Sequence, residues 1–185
     1  SSDGSSSLEF WLQADFGVEN TGGNPAADGD AVGDWLDQSG KGNNMTQDFG
    51  AAPIFRVTSG LSSVDFEGLS GYLRSSSPVI TGITARTFFS VVQPSSLPQA
   101  FENAAWSLAP NSASGEGYNL FVEGSSNNTG LGLRVFGNKL MDYTANSFED
   151  ADLIDNPFIF TGQSGADADV VDTIFHLNGT KLTKA

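Results

Sequence analysis

The chain has 185 residues and carries 22 Asp or Glu against 8 Lys or Arg, which gives a formal net charge of −14. Such a surface repels nucleic acid and anionic lipid headgroups, and no stretch is apolar enough to span a bilayer, so we expect neither nucleic-acid binding nor membrane insertion. The sequence has no Cys, which excludes disulfides, thiolate catalysis and Cys-based zinc sites.

The amino-terminal part of the chain divides into a linker and a first strand. Residues 1–7 read SSDGSSS, a polar composition typical of a flexible lead-in. Residues 8–12 are mostly apolar, which predicts a strand in the interior of the fold and a core location for Trp11. The length from residue 8 to residue 185 suits one domain with a substantial core.

Residues 19–33 are predicted to form a long irregular loop rich in Asp and Gly. Asp28, Asp30 and Asp34 are spaced by two and four residues, similar to a calcium loop, and Asp37 follows closely. Because Ca²⁺ prefers oxygen ligands, these four carboxylates are the predicted metal ligands and Ca²⁺ the predicted cofactor. The terminal Glu of an EF-hand loop is missing, so the alternative is a solvated acidic loop that binds no metal. The acidity would then only keep an exported protein soluble.

A buried Trp followed by a tight loop is the prediction for residues 35–44, which read WLDQSGKGNN. Gly40 and Gly42 can adopt positive φ angles at no steric cost. Asp37 and Ser39 can hydrogen-bond local backbone N–H groups. Asp37 therefore has two interpretations: it caps this loop, or it binds the metal.

Short strands separated by turn signals fill the rest of the chain. They are predicted at residues 54–57, 64–66, 72–74, 86–93, 104–108, 118–123, 131–136, 139–143, 158–161 and 170–177. The strongest of them, 86–93, is rich in β-branched and aromatic residues and is stopped by Pro94. With 22 Gly and no convincing helix, this pattern predicts an all-β fold, a two-sheet antiparallel β-sandwich.

The residues that hydrolytic enzymes need do not occur in a usable pattern. His176 is the single His, it lies between two apolar strand residues, and no G-x-S-x-G sequence supplies a nucleophile. Glycosidases require paired carboxylates, and the acidic run at residues 148–155 lacks the alternating spacing that would aim them into one cleft. We therefore expect a protein that is not an enzyme.

A glycan site usually combines an aromatic platform with polar side chains that hydrogen-bond hydroxyl groups. Trp106, Tyr118 and Tyr143 are the candidate platforms and Asn119 is the candidate polar partner. For Trp106 a core location is the alternative, because residues 104–108 read as a strand.

Several blocks of the sequence are similar to one family of domains. Residues 8–18 read LEFWLQADFGV, residues 35–47 read WLDQSGKGNNMTQ, and residues 61–73 read LSSVDFEGLSGYL. They resemble the motifs L-x-A-D-x-G-V, W-x-D-Q-S-G-x-G-N and V-x-F-D-G-x-x-D-Y-L of bacterial LamG-like domains, which are concanavalin A-like lectin/glucanase jelly rolls. Glu67 and Gly71 stand where that family has Asp.

The resemblance implies a jelly-roll fold and a non-catalytic function. That function is adhesion or glycan binding by a module of a larger bacterial protein, secreted or held at the cell surface, with a glycan or another surface polymer as partner. A fold does not fix a function, so this remains an expectation.

The carboxyl-terminal residues raise a second expectation. Residues 175–180, FHLNGT, are similar to the Asn-Gly hairpin after which LamG-like domains continue with further strands, whereas this chain ends at Ala185. We therefore expect one of two situations: the sequence is a piece of a longer protein, or the sandwich lacks its C-terminal strands and its open edge is filled by other domains of the same chain or by neighbouring copies. The alternative function is thus a structural subunit of an extracellular filament or surface layer, completed by strand exchange with a neighbour.

Overall fold

A computed structural model describes residues 8–66, 71–77, 79, 85–95, 103–108, 118–125, 128–135, 139–141, 155–164 and 174–181. Within these ranges every regular element is a β-strand and every strand pairing is antiparallel. This confirms the all-β prediction and is consistent with a β-sandwich. None of the described residues forms a helix long and apolar enough to cross a membrane.

The chain forms two compact units, Ser1–Ile80 and Thr81–Ala185. In the first, a four-stranded sheet, here called sheet A, has the order β1-β2-β3-β6, and β4 and β5 form a separate hairpin. The strands of this unit are β1 (Val18–Asn20), β2 (Val32–Trp35), β3 (Met45–Phe49), β4 (Ile54–Thr58), β5 (Leu61–Asp65) and β6 (Tyr72–Ser75).

The first unit is built on a small apolar core. Val18, Val32 and Phe55 are buried, and Trp35 and Leu73 pack against them. Successive side chains of a strand point to opposite sides, so the residues that alternate with Val18, Val32, Trp35 and Leu73 lie on the other face of sheet A. This other side of sheet A is its outer face.

The second unit contains two four-stranded sheets with the orders β11-β10-β9-β8 and β14-β13-β12-β7. Its strands are β7 (Arg86–Val92), β8 (Asn103–Leu108), β9 (Tyr118–Ser125), β10 (Asn128–Val135), β11 (Lys139–Met141), β12 (Phe158–Ser164), β13 (Ile174–Leu177) and β14 (Thr180–Lys181).

Aromatic side chains make the core of the β7-β12-β13 region. Phe160 and Phe175 are buried with ring centroids 5.4 Å apart, and Phe88 lies 6.2 Å from both. Gly162 leaves room for the ring of Phe88, because a Cβ at this position would overlap that ring. His176 is partly exposed between the buried Phe175 and Leu177, as its place in the strand pattern predicted.

The prediction of a buried first strand at residues 8–12 is wrong. No strand forms there, and Leu8 and Trp11 are 55% and 48% exposed. The physical reason is that the hydrogen bonds of this segment go to a loop instead of a strand ladder: the Trp11 carbonyl accepts from the Gln38 N–H at 2.7 Å, and the Glu9 carbonyl accepts from the Asn43 amide at 2.8 Å.

The long loop predicted at residues 19–33 is also shorter than expected. β1 ends at Asn20 and β2 begins at Val32, so irregular structure covers residues 21–31. The register shifts opposite Gly33, where a Cβ would lie 2.9 Å from the Asn20 carbonyl oxygen. This bulge keeps Val32 inside while Asp34 is directed to the outer face.

Candidate functional site

The loop at residues 36–44 is organised by the carboxylate of Asp37. Its Oδ1 accepts hydrogen bonds from the N–H groups of Trp11 and Ser39, both at 2.9 Å. Its Oδ2 accepts from the Ser39 hydroxyl at 2.7 Å and from the Asn43 N–H at 3.0 Å. The Asn44 side chain closes the loop by accepting the Asp37 N–H at 3.0 Å.

These bonds show that Asp37 caps its loop, as one of the two interpretations predicted, while the metal-binding interpretation stays a prediction. Partial burial opposes ionisation, but the hydrogen bonds from Ser39, Trp11 and Asn43 outweigh it and hold the pKa of Asp37 below its usual value. Gly40 and Gly42 have φ angles of 82° and 75°, the left-handed conformation expected of them. Asp37 therefore fastens the amino-terminal segment to this loop.

Asp28 and Asp30 organise the irregular segment between β1 and β2. The Asp28 carboxylate accepts the Val57 N–H at 2.9 Å, which ties the segment to the β4–β5 hairpin. The Asp30 carboxylate accepts the Ala27 N–H at 3.0 Å and the Asn20 amide at 3.1 Å. The bonds from Ala27 and Asn20 lower the pKa of Asp30.

The four predicted calcium ligands do not form one cluster. Asp34 lies on the outer face of sheet A, where it accepts a hydrogen bond from the Thr46 hydroxyl at 2.7 Å. In the part of the chain that the structure describes, no group of three or more acidic, His or Cys side chains converges on a point that could hold a metal ion. Calcium binding stays a prediction.

The predicted glycan-binding residues are divided by strand register. Trp106 is paired with Leu120, and Leu108 with Tyr118, so Trp106 and Tyr118 belong to the same face of their sheet. Asn119, the neighbour of Tyr118, belongs to the opposite face and is paired with Ser107. Tyr143 lies outside the described residues.

The outer face of sheet A carries a row of polar side chains that crosses all four strands. Glu19 of β1 is opposite Asp34 of β2, which is opposite Thr46 of β3, which is opposite Arg74 of β6. Since neighbouring strands lie about 4.8 Å apart, the row is about 14 Å long. It offers carboxylate, hydroxyl and guanidinium groups side by side.

An exposed aromatic pair continues this face beyond the polar row. Phe49 of β3 and Tyr72 of β6 are paired in the register, and their rings stack with centroids 6.1 Å apart and an interplanar angle of 25°. The two side chains are 59% and 43% exposed. A stacked pair of rings open to solvent is a surface on which a flat apolar ligand can lie.

Asp48 connects the aromatic pair to the polar row. It is the extra residue where the β3–β6 register shifts, and such bulges redirect a side chain. One of its oxygens accepts from Arg74 Nη2 at 3.0 Å and from the Tyr72 hydroxyl at 3.3 Å. The polar row, the aromatic pair and Asp48 are together called the platform.

Sequence reasoning did not find the platform. The predicted strand at residues 72–74 places Tyr72 and Arg74 on one face, so the sequence did contain a signal for this part of the platform. Strand β3 was not predicted, and the contact between Phe49 and Tyr72 depends on the bulge at Asp48, which no sequence pattern indicated.

A second exposed surface lies in the other unit, on the side of the β7-β12-β13 region that faces away from the aromatic core. Phe89 and Val91 of β7 are each 73% exposed, and Val91 is opposite Ile159 of β12. Thr161 of β12 is paired with Phe89 of β7 on one side and with His176 of β13 on the other. This surface is called the apolar face.

Comparison of the chain with family models, curated proteins and solved structures found no match.

Proposed function

We propose that this chain is a non-catalytic adhesion or glycan-binding module of a larger secreted or cell-surface bacterial protein, and that the platform is its binding surface. The observation that carries the proposal is the solvent-exposed stack of Phe49 and Tyr72 beside the Asp48–Arg74 ion pair. The resemblance of the motifs to LamG-like domains supports it from the sequence.

The chemistry of the platform matches the chemistry of a pyranose ring. One side of many sugar rings presents C–H groups, which an exposed aromatic ring covers by stacking. The ring hydroxyls need both donors and acceptors, and the Arg74 guanidinium supplies donors while Asp48, Asp34 and Thr46 supply acceptors. A shallow surface of this kind binds a glycan chain from one side.

A glycan array probed with the full chain tests this function. We expect binding to at least one glycan, a loss of binding in Phe49→Ala and Tyr72→Ala, and no release of shorter sugars on prolonged incubation. Phe16→Ala is the control, because Phe16 is an exposed aromatic residue of the same unit that lies outside sheet A. Binding that survives both platform substitutions would overturn the assignment of the site, and sugar release would overturn the non-catalytic function.

The apolar face supports the second candidate function, a structural subunit that contacts neighbouring copies. Phe89, Val91 and Ile159 form an exposed apolar strip, and such strips mark protein contacts. Light scattering of the full chain would detect assembly, and Phe89→Thr should abolish it while Phe49→Thr leaves it intact. A strictly monomeric chain at high concentration would refute this second candidate.

A further inference from the structure

Every Lys and Arg side chain of the first unit is already in an ion pair. Arg74 Nη2 lies 3.0 Å from Asp48 Oδ2, Lys41 Nζ lies 3.8 Å from Glu9 Oε1, and Arg56 Nε lies 3.9 Å from Asp65 Oδ2. These three are the only Lys and Arg residues in the sequence of this unit. Their positive charges are therefore compensated before any ligand arrives.

The first unit as a whole carries a strongly negative formal charge. The sequence of the first unit has three Lys or Arg against eleven Asp or Glu, a formal balance of −8. Within the polar row, Glu19 and Asp34 are carboxylates, and the charge of Arg74 is offset by Asp48. An anionic ligand on this face would meet repulsion that no unpaired cation of the unit offsets.

We propose that the platform selects neutral glycans and rejects uronate-containing or sulfated ones. This inference rests on the proposed function, since it names the ligand class of the same surface. Hydroxyl groups of a neutral sugar accept hydrogen bonds from the remaining N–H groups of Arg74 and donate to the free lone pairs of Asp48 without separating the two. A carboxylate on the sugar must either displace Asp48 from Arg74 or approach its negative charge, and both cost free energy.

The Asp48–Arg74 contact is the element that sets this selectivity. Asp48 is held by two contacts to its Oδ2, from Arg74 Nη2 and from the Tyr72 hydroxyl, so it stays beside the aromatic pair where a sugar ring would lie. Removal of its charge leaves the guanidinium of Arg74 uncompensated and open to a ligand carboxylate.

The test measures binding of oligosaccharides in pairs that differ only in charge. Oligomers of glucuronate, galacturonate and mannuronate are each compared with the same oligomer after its carboxylates are reduced to hydroxymethyl groups. We expect at least one reduced oligomer to bind, its acidic counterpart to bind at least about tenfold more weakly at low salt, and the difference to shrink as added salt screens the charges. Tyr72→Ala should weaken the neutral binding about tenfold, because the stacked apolar area is lost.

Asp48→Asn supplies the second measurement, because it removes the charge and keeps the shape of the side chain. We expect it to raise the affinity for the acidic oligomer severalfold and to weaken neutral binding, because a sugar hydroxyl loses a charged acceptor, so that the ratio of neutral to acidic affinity falls at least severalfold. Tighter binding of acidic oligomers by the unsubstituted chain, lost in Tyr72→Ala, would overturn the inference and leave the proposed function standing. Absence of binding to all six oligomers and to the glycan array would overturn both.

Discussion

The N–H of Trp11 donates a hydrogen bond of 2.9 Å to the carboxylate of Asp37, a residue 26 positions further along the chain. The same carboxylate caps its own loop through Ser39 and Asn43, so one side chain fixes both the loop and the segment that precedes the first strand. Polar contacts with residues 36–44 hold this segment, in which Trp11 is half-exposed.

Replacement of Asp37 should therefore destabilise the first unit. Asp37→Asn keeps the size of the side chain but turns an N–H₂ group toward backbone N–H donors, so part of the hydrogen bonding is lost. We expect the free energy of unfolding to fall by about 1–3 kcal/mol, as for loss of hydrogen bonds to a charged group. Denaturant unfolding followed by Trp fluorescence measures this loss of free energy. Trp35 is a suitable probe, because its indole N–H donates a hydrogen bond to the Gln13 carbonyl in the amino-terminal segment.

Asp15→Asn is the matched control for this prediction. Asp15 is an exposed residue of the same segment, and the substitution changes the net charge by the same amount. It should leave the unfolding midpoint almost unchanged. An equal loss of stability in both variants would show that charge, and not the capping of residues 36–44, is responsible.

The lowered pKa of Asp37 predicts how the free energy of unfolding depends on pH. Its pKa is lowered in the folded state, so its contribution is fully present above the unfolded-state pKa of about 3.9 and is lost as the pH falls through the folded-state pKa. The pKa of Asp30 is lowered as well, through its bonds with Ala27 and Asn20, so it acts in the same direction. We expect the free energy of unfolding to decline below about pH 5, with a shallower decline in Asp37→Asn. If the free energy of unfolding falls equally with pH in the unsubstituted chain and in Asp37→Asn, Asp37 is not the cause of the decline.

The calcium prediction has a direct thermal test. A cation bound to the folded state raises the melting temperature by mass action, so Ca²⁺ should raise it and EDTA should reverse the rise. The structure adds a condition: the carboxylates of Asp28, Asp30 and Asp37 already accept backbone N–H groups, so metal binding would have to use their remaining lone pairs. An unchanged melting temperature with Ca²⁺ would refute the prediction, and a rise that persists in Asp34→Asn would remove Asp34 from the ligand set.

The sequence predicted the class of the fold because its strongest signals are local. The run at residues 86–93 has a continuous β-strand composition, and the structure has β7 at Arg86–Val92. His176 between two apolar residues was placed correctly for the same reason, since alternation along one strand is a local property.

The sequence-based predictions failed where the location of a side chain depends on residues far away in the chain. The apolar residues 8–12 looked like a core strand, but their backbone partners come from residues 37–43, and no period in the sequence encodes that contact. Phe49 was missed because its exposure and its stacking on Tyr72 depend on the register between β3 and β6 and on the bulge at Asp48. Surfaces of this kind are assembled by tertiary structure, so the pattern of a single strand does not reveal them.

Gly71 precedes Tyr72 and should be essential for the platform. A Cβ at Gly71 would overlap the carbonyl oxygen of Ala51, a backbone atom that cannot rotate away. Gly71→Ala should therefore push β6 from its place, lower the free energy of unfolding by about 1–3 kcal/mol and weaken glycan binding through Tyr72. Gly22→Ala is the control, since its nearest contacts are the ends of the Asn20 and Asn24 side chains at 3.3 Å. If glycan binding is unaffected by Gly71→Ala, the location of the site at Tyr72 is wrong.

Gly162 provides the corresponding prediction for the second unit. It is buried in β12 beneath the ring of Phe88, and a Cβ there would overlap that ring, which is itself packed on Phe160 and Phe175. Because the three rings share one core, the added methyl cannot be absorbed by a single rotamer change, and Gly162→Ala should cost about 1–3 kcal/mol of unfolding free energy. The double variant Gly162→Ala with Phe88→Leu should recover part of that loss, since Leu occupies less of the space that the new Cβ needs. Equal instability of the single and double variants would show that the methyl group meets something other than Phe88.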